Sequence, residues 1–223
     1  MKRTALITML LFIPFIVISQ SLEELNKPTI SELDEIAPFS EGLAGVRRGN
    51  QWGFMDDQGQ LIIDFRNDIA WNPNADTTKQ GIQGLRFPQF KEGLCIIQKL
   101  TDEGIPQYGF LDKEGKQVIE PEFINITPFE KGKAIGIYGK KSFRGKNEFQ
   151  LNIYDYNFTE VVINKEGEMV WPIQQRINIF MSKKRFELPN LNAKILSKDL
   201  LIVKGSNNQW KVVKTKMSTT TTK

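Results

Sequence analysis

The 223-residue chain contains no histidine and only one cysteine, Cys95. The lack of histidine excludes the Ser–His and Cys–His pairs of nucleophilic catalysis, together with every metal site that needs an imidazole ligand. A single cysteine excludes an intrachain disulfide and a cysteine-rich zinc site. Cys95 lies in the apolar run LCII, which predicts a buried thiol that packs as a small apolar side chain. We therefore expect no cofactor and no bound metal.

The chain without its two ends has no excess of basic residues, although the formal charge of the whole chain is +4 and its pI is about 9.0. Two basic residues stand at positions 2 and 3, and four lysines lie in residues 211–223, which contain no acid. Without these six residues, the rest of the chain has 24 of the 30 basic residues and 26 acidic ones. A protein that binds nucleic acid needs a basic face on its fold, so we expect no nucleic-acid partner.

The N-terminal segment has the pattern of an export signal. An apolar run from Ala5 to Ile18 follows the two basic residues, and small side chains precede a potential cut before Gln20. The run has 14 residues and contains Pro14, whereas a bilayer-spanning helix needs about 20 apolar residues. This pattern predicts a secretory signal peptide over residues 1–19. We expect an exported protein in the periplasm, at the cell surface or outside the cell, without a stable membrane span.

One sequence motif recurs along the rest of the chain. It consists of F-x-x-G, a short apolar strand, an aromatic-Gly-aromatic strand, D/N-x-x-G and a further apolar strand. Copies lie at about residues 34–65, 87–123 and 126–173, and a degenerate fourth copy lies at 200–214. A unit of this size cannot bury its apolar face alone, so neighbouring units must stack to form the core.

The repeated residues have separate predicted roles. The D/N-x-x-G pattern predicts a four-residue hairpin turn with a glycine bulge, and a glycine between aromatic residues predicts the close approach of another segment. The glycine of F-x-x-G is expected to turn the chain into the next strand, after a buried phenylalanine. The structural repeat residues are Phe39, Gly42, Trp52, Gly53, Gly59, Phe90, Gly93, Tyr108, Gly109, Gly115, Phe129, Gly132, Gly167 and Trp210.

These motifs resemble the WG-repeat family, which is named for its Trp-Gly pair. The resemblance rests on PFSEGLA with Trp52–Gly53, on FKEGLC with Tyr108–Gly109, and on DKEGKQVIEPEF at Asp112–Phe123. The third copy has Glu160–Val161 in place of the pair, and the fourth has Trp210–Lys211. The resemblance implies a β-rich repeat fold and an interaction role, with no shared active site.

We therefore expect an all-β fold of three to four tandem β-hairpin units, stacked in one elongated or curled domain over residues 20–214. At most one short helix is expected, near the C-terminus around Ile177–Phe186, and residues 215–223 are expected to be disordered. Insertions in such a scaffold often carry the binding function.

Two insertions supply the candidate binding residues. The segment Arg66–Arg86 contains an isolated tryptophan, and the basic segment Lys140–Glu148 leads into an alternating aromatic strand pattern. The candidates are Trp71, Phe143, Arg144, Tyr154 and Tyr156. Exposed rings can anchor a protein partner or stack on sugars, whereas Tyr154 and Tyr156 could instead pack at the edge of the core. The basic segment could also be a solvated loop.

No catalytic constellation is evident in the sequence. Asp56 and Asp112 lie in the repeat turns, where bonding to the backbone already accounts for them. The sequence therefore predicts an exported, non-catalytic binding or scaffolding module that contacts an envelope protein. A module that binds glycan or cell wall through exposed aromatics is the alternative, and an envelope hydrolase is a further one.

Overall fold

The computed structural model describes residues 21–205 and 207–217, and the predicted signal segment lies outside them. The chain divides into two compact units, Met1–Ser31 and Glu32–Lys223. The described part of the first unit contains one short helix, α1 (Leu22–Leu25), whose N-terminus is capped by the Ser21 hydroxyl. None of the helices within the described ranges is long and apolar enough to cross a bilayer.

The second unit is built from three antiparallel sheets. The first contains β1 (Glu35–Ile36), β2 (Ala44–Arg48), β3 (Gln51–Met55) and β4 (Leu61–Arg66). The second contains β5 (Cys95–Leu100), β6 (Pro106–Leu111), β7 (Gln117–Ile126), β8 (Ala134–Lys146), β9 (Asn152–Ile163) and β10 (Met169–Arg176). The third contains β11 (Ala193–Ser197), β12 (Leu200–Lys204) and β13 (Trp210–Lys214). In each sheet the strands follow one another in chain order, which confirms the predicted all-β hairpin repeats.

The D/N-x-x-G turns form as predicted. In the first repeat, Asp56 Oδ1 accepts hydrogen bonds from the backbone amides two and four residues ahead, at 2.9 and 2.8 Å. Gly59 closes the turn with a φ of 73°, and Gly115 and Gly167 take the same place at 78° and 82°. These left-handed conformations explain why glycine ends the motif.

The glycine after the aromatic residue also has the predicted role. A Cβ atom added to Gly109 would lie 2.3 Å from the carbonyl oxygen of Ile119 on β7, and one added to Gly53 would lie 2.8 Å from that of Ile63 on β4. The strand pairing shifts register at these positions in both repeats. The neighbouring strand therefore approaches so closely that no side chain fits.

The core rings connect one repeat to the next. Trp52, Phe54, Tyr108 and Phe110 are buried, as predicted. Phe90 packs edge-on against Phe54 and Phe129 against Phe110, each with ring centroids 4.8 Å apart. Phe39 is 54% exposed, so its predicted role as a buried anchor is wrong. The reason is that a phenylalanine at this position packs on the preceding repeat, and the second unit has no repeat before the first.

The C-terminal region differs from the sequence expectation in two respects. Residues 177–186, where a short helix was expected, contain a turn at 182–185 and no helix. Thr215 and Met217 are buried, and the Thr215 amide donates to the Asp199 carbonyl oxygen at 2.8 Å. The packed chain thus extends beyond β13 into the segment that was expected to be disordered.

Trp210 does not take the place of Trp52 in the fourth copy. Trp52 pairs with Arg47, five residues before it, whereas Trp210 pairs with Lys204, six residues before it. The strand pairing of the fourth copy is therefore shifted by one residue relative to the first hairpin. A shift of one residue turns a side chain to the opposite face of a strand. Trp210 is therefore 47% exposed, and the ammonium groups of Lys194 and Lys204 lie 5.6 and 5.9 Å from its ring centroid.

Candidate functional site

The hairpin of β8 and β9 extends beyond the sheet that supports it. β8 pairs with β7 only up to Tyr138, and β9 pairs with β10 only from Phe158 onward. Residues 139–157 therefore form a two-stranded projection, here called the arm, with no further strand beside it in the described chain. A hairpin of this kind has little stability of its own, because it has no sheet face to pack against.

The tip of the arm is closed by a turn with the same hydrogen bonds as the repeat turn but without its glycine. Asn147 Oδ1 accepts hydrogen bonds from the Phe149 and Leu151 amides at 3.0 and 2.9 Å, as Asp56 does in the first repeat. Gln150 occupies the glycine position with a φ of 60°. The basic segment Lys140–Glu148 is therefore mostly strand, and its interpretation as a loop is wrong. The asparagine was the available signal, but the missing glycine concealed the turn.

One face of the arm carries a row of aromatic rings. Phe143 and Tyr154 are cross-strand neighbours with ring centroids 5.8 Å apart, and they are 60% and 40% exposed. Tyr156 is half-buried and stacks on the buried ring of Phe158, with centroids 6.1 Å apart. The row thus runs from the core of the sheet to an exposed pair of rings.

A polar cluster fixes the base of the arm. The Lys141 ammonium donates to Glu103 Oε1 at 2.7 Å, and the Tyr156 hydroxyl donates to the same oxygen at 3.0 Å. The Lys141 hydrogen bond lowers the pKa of Glu103 to about 2 and raises the pKa of Lys141, while burial raises the pKa of Tyr156. At neutral pH the cluster therefore holds a carboxylate, an ammonium and a protonated phenol.

Lys141 also orders the ring row. Its ammonium lies 4.4 Å from the centroid of Tyr154 and 5.7 Å from that of Tyr156, which is within the range of cation–π attraction. A cavity of about 450 Å³ opens beside this cluster, between the arm and the β5–β6 turn. The Lys141 and Tyr156 side chains both donate to Glu103, so their arrangement positions the arm.

The outer part of the arm carries several exposed apolar side chains among polar ones. The side chains concerned are Phe143, Phe149, Leu151, Ile153 and Tyr154, which range from 38% to 81% exposed. Arg144 projects on the other face, where its guanidinium lies 3.6 Å from Asp155. A cluster of exposed apolar groups on one projection is typical of a contact surface for another molecule.

The structure brings four of the five candidate residues together on the arm and places Trp71 elsewhere. Trp71 is half-buried against the first sheet, with its ring centroid 5.5 Å from that of Trp52. The guanidinium of Arg47 lies 5.4 Å from the Trp71 centroid. Trp71 therefore takes part in core packing, and its ring is less open to a ligand than the rings of the arm.

The site contains no arrangement typical of metal binding. Among the described residues, no group of three or more cysteine or acidic side chains is placed to hold a metal ion. Cys95, the first residue of β5, is buried, and burial raises the pKa of its thiol to about 12. The predicted packing role of Cys95 is therefore confirmed.

The repeats themselves match a known family. A family model described as "WG containing repeat" matches residues 25–52, 52–72 and 108–135. The chain carries WG repeats. Two of the matched segments begin at the aromatic-Gly pair, at Trp52 and Tyr108, and the arm lies outside all three. The arm therefore does not belong to the matched WG repeats.

No curated protein matches the chain. Among solved structures, a crystal structure of the computationally designed Ika4 protein matches with 12% sequence identity and a TM-score of 0.35, over 85% of this chain and 94% of that chain. A likeness at this level carries no argument about function. The WG repeats and the all-β architecture fit a repeat binding module.

Proposed function

We propose that this WG-repeat protein is a non-catalytic interaction module of the bacterial cell envelope, and that it binds another protein through the arm. The observation that carries this proposal is the group of five exposed apolar side chains at the end of an anchored hairpin, namely Phe143, Phe149, Leu151, Ile153 and Tyr154. Aromatic side chains such as Phe143 and Tyr154 are enriched at protein interfaces.

The energetics of the arm support a binding role. Its base is held by the buried Phe158 and by the Glu103–Lys141–Tyr156 cluster, so its direction is set before a partner arrives. Its outer half makes no comparable contact with the described chain. A partner that covers the rings would bury apolar surface without having to order the base, which lowers the entropic cost of binding.

A crosslinking experiment tests this proposal. A photoreactive phenylalanine analogue is placed at Phe143 in one variant and at Val118 in a matched control, since Val118 is also exposed on a strand at 42% but lies away from the arm. We expect a discrete protein adduct in intact cells from the first variant only. Equal adducts from both positions, or no adduct from Phe143, would contradict a protein-binding arm.

The glycan alternative is tested with the same residues. If the arm binds sugars, a glycan array will give a signal that Phe143→Ser and Tyr154→Ser abolish and Val118→Ser leaves unchanged. A signal of this kind without a protein adduct would replace the proposed partner by a glycan. The non-catalytic assignment would be contradicted if the protein hydrolysed a cell-wall substrate and lost this activity on a single acid-to-amide substitution.

Export is proposed from the N-terminal sequence pattern alone. Intact mass measurement of the protein from its native host tests it directly, because cleavage before Gln20 removes residues 1–19. An uncleaved chain recovered from the cytoplasm would contradict both the signal peptide and the envelope location.

A further inference from the structure

The first and second repeats are joined by a specific set of contacts. The carboxylate of Glu41 accepts hydrogen bonds from the backbone amides of Glu92 and Gly93, the latter at 2.8 Å. Lys113 approaches from the other side and lies 2.8 Å from the Glu41 carbonyl oxygen and 3.4 Å from its carboxylate. The turn of one repeat thus binds a carboxylate of the repeat before it.

The second and third repeats are joined in the same way. The Glu92 carboxylate accepts a hydrogen bond from the Gly132 amide at 2.8 Å. Lys165 lies 2.9 Å from the Glu92 carbonyl oxygen and 3.3 Å from its carboxylate. The ring contact at each junction is also the same, at 4.8 Å between centroids. Two independent junctions therefore define what an F-x-x-G turn receives from its neighbour, namely one carboxylate and one ring.

The first repeat presents the same elements without a neighbour. In residues 21–205 and 207–217, no acceptor meets the backbone amides of Glu41 and Gly42, which correspond to those of Glu92 and Gly93. A Cβ atom added to Gly42 would meet nothing within 4 Å, and Phe39 is 54% exposed. The interface that holds the repeats together thus continues to an open face at the first repeat.

We propose that this open face binds a β-hairpin of another polypeptide that carries a glutamate or aspartate in its turn and an aromatic side chain on its strand. The carboxylate would accept hydrogen bonds from the Glu41 and Gly42 amides, and the aromatic side chain would pack against Phe39. The partner is defined by these two groups because the internal junctions use both of them.

The charges around the open face define which charged groups the partner must carry. Asp57 occupies the position that Lys113 and Lys165 hold in the other two repeats. A partner must therefore bring a cation of its own beside its carboxylate, to meet Asp57. The third repeat has Lys131 where Glu41 and Glu92 stand, and its ammonium already donates to the Leu196 carbonyl oxygen, so this position in a second copy offers no carboxylate. This favours a different polypeptide over head-to-tail assembly of the same chain.

A tethered probe tests the proposal on the full chain. A copy of residues 38–60, which contains the carboxylate and ring that the first repeat gives to the second, is appended after Lys223 through about 60 Gly/Ser residues, which span about 40 Å. The readout is hydrogen exchange at the Glu41 and Gly42 amides. We expect at least tenfold slower exchange with the probe attached. The matched control carries Gln at the copied Glu41 and Ala at the copied Phe54.

Two further chains ensure that a negative result is informative. In one, Asp57→Lys restores the lysine of the internal junctions and should strengthen the protection. In the other, residues 34–86 are duplicated in line, so that the added unit keeps its native connection to the next repeat. Unchanged exchange in all three chains, or equal protection by the control probe, would overturn the proposal. Protection of Gly42 that rises with the concentration of the unmodified chain would instead identify a second copy as the occupant.

Discussion

The substitution Gly109→Ala tests the packing that gives the WG motif its glycine. The new Cβ atom would lie 2.3 Å from the Ile119 carbonyl oxygen and 2.7 Å from backbone atoms of Glu120 and Pro121, whereas ordinary contacts begin at 3.4 Å. All three obstacles are main chain, so β7 would have to move by about 1 Å and lose part of its ladder with β6. We expect a loss of about 3 kcal/mol in the free energy of unfolding.

The control for this prediction is Gly93→Ala. Gly93 has a φ of 86° and nothing within 4 Å of an added Cβ atom, so only backbone strain is expected there, at about 1–2 kcal/mol. For a chain of this length, about 3 kcal/mol corresponds to a fall in Tm of about 6–12 °C. The assay is thermal unfolding followed by circular dichroism. If Gly109→Ala melts within two degrees of the parent, or if Gly93→Ala costs more, the close-approach argument is refuted.

Three further predictions concern the junctions and the core. Glu41→Gln should cost about 1 kcal/mol in urea melts at pH 7, because its partly exposed carboxylate loses charge-assisted bonds. Burial alone would raise the pKa of Glu41, but the backbone amides and Lys113 outweigh it and lower this pKa. The contribution of Glu41 to stability is therefore present above pH 4.5 and disappears as the pH falls through the lowered pKa. A stability difference between the parent and Glu41→Gln that persists at pH 2 would contradict this. Cys95 should resist thiol reagents in the folded state at pH 8, since burial raises its pKa to about 12, and fast labelling without unfolding would refute its packing role. Lys131→Glu should weaken protection from hydrogen exchange in β11–β13, because it replaces a donor to the Leu196 carbonyl oxygen by an acceptor; unchanged protection would contradict that contact.

Much of the repeat could be predicted from the sequence because its signals are local. The D/N-x-x-G turn needs only a short polar side chain and a left-handed glycine, and both stand within four residues of each other. The close approach at Gly53 and Gly109 could also be anticipated, because a glycine between two core aromatics leaves space for a neighbouring strand that any side chain would fill.

The predictions for Phe39 and Trp210 are wrong because the burial of these side chains depends on residues that are distant in the chain. Phe39 lies in the same F-x-E-G-L pattern as Phe90, but no ring of the described residues packs against it as Phe54 packs against Phe90. Trp210 matches Trp52 in sequence, but the longer β12–β13 connection moves the pairing by one residue and turns the ring outward. Local pattern carries no information on either effect.

The candidate site was predicted only in part. The aromatic character of Phe143 and Tyr154 makes them candidates, and the structure places them side by side because β8 and β9 extend beyond the strands next to them. The length of that overhang depends on where β7 and β10 end, which composition does not specify. Glu103, which fixes the base of the arm, lies almost 40 residues before Lys141 in a turn that resembles any other polar turn. No sequence signal pointed to it.

The junction contacts also give the repeat stack a direction. Glu41 and Glu92 each offer a carboxylate to the next turn, so each turn must face the preceding repeat with its amides. Lys131 reverses this polarity and donates to the carbonyl oxygen of Leu196, and Lys133 donates to that of Lys198 at 2.9 Å. The third repeat can therefore be followed by the carbonyl-bearing β11–β12 turn, but not by another amide-bearing F-x-x-G turn. One change from acid to base thus specifies where the stack ends, while its first turn retains the amides that would receive a further carboxylate.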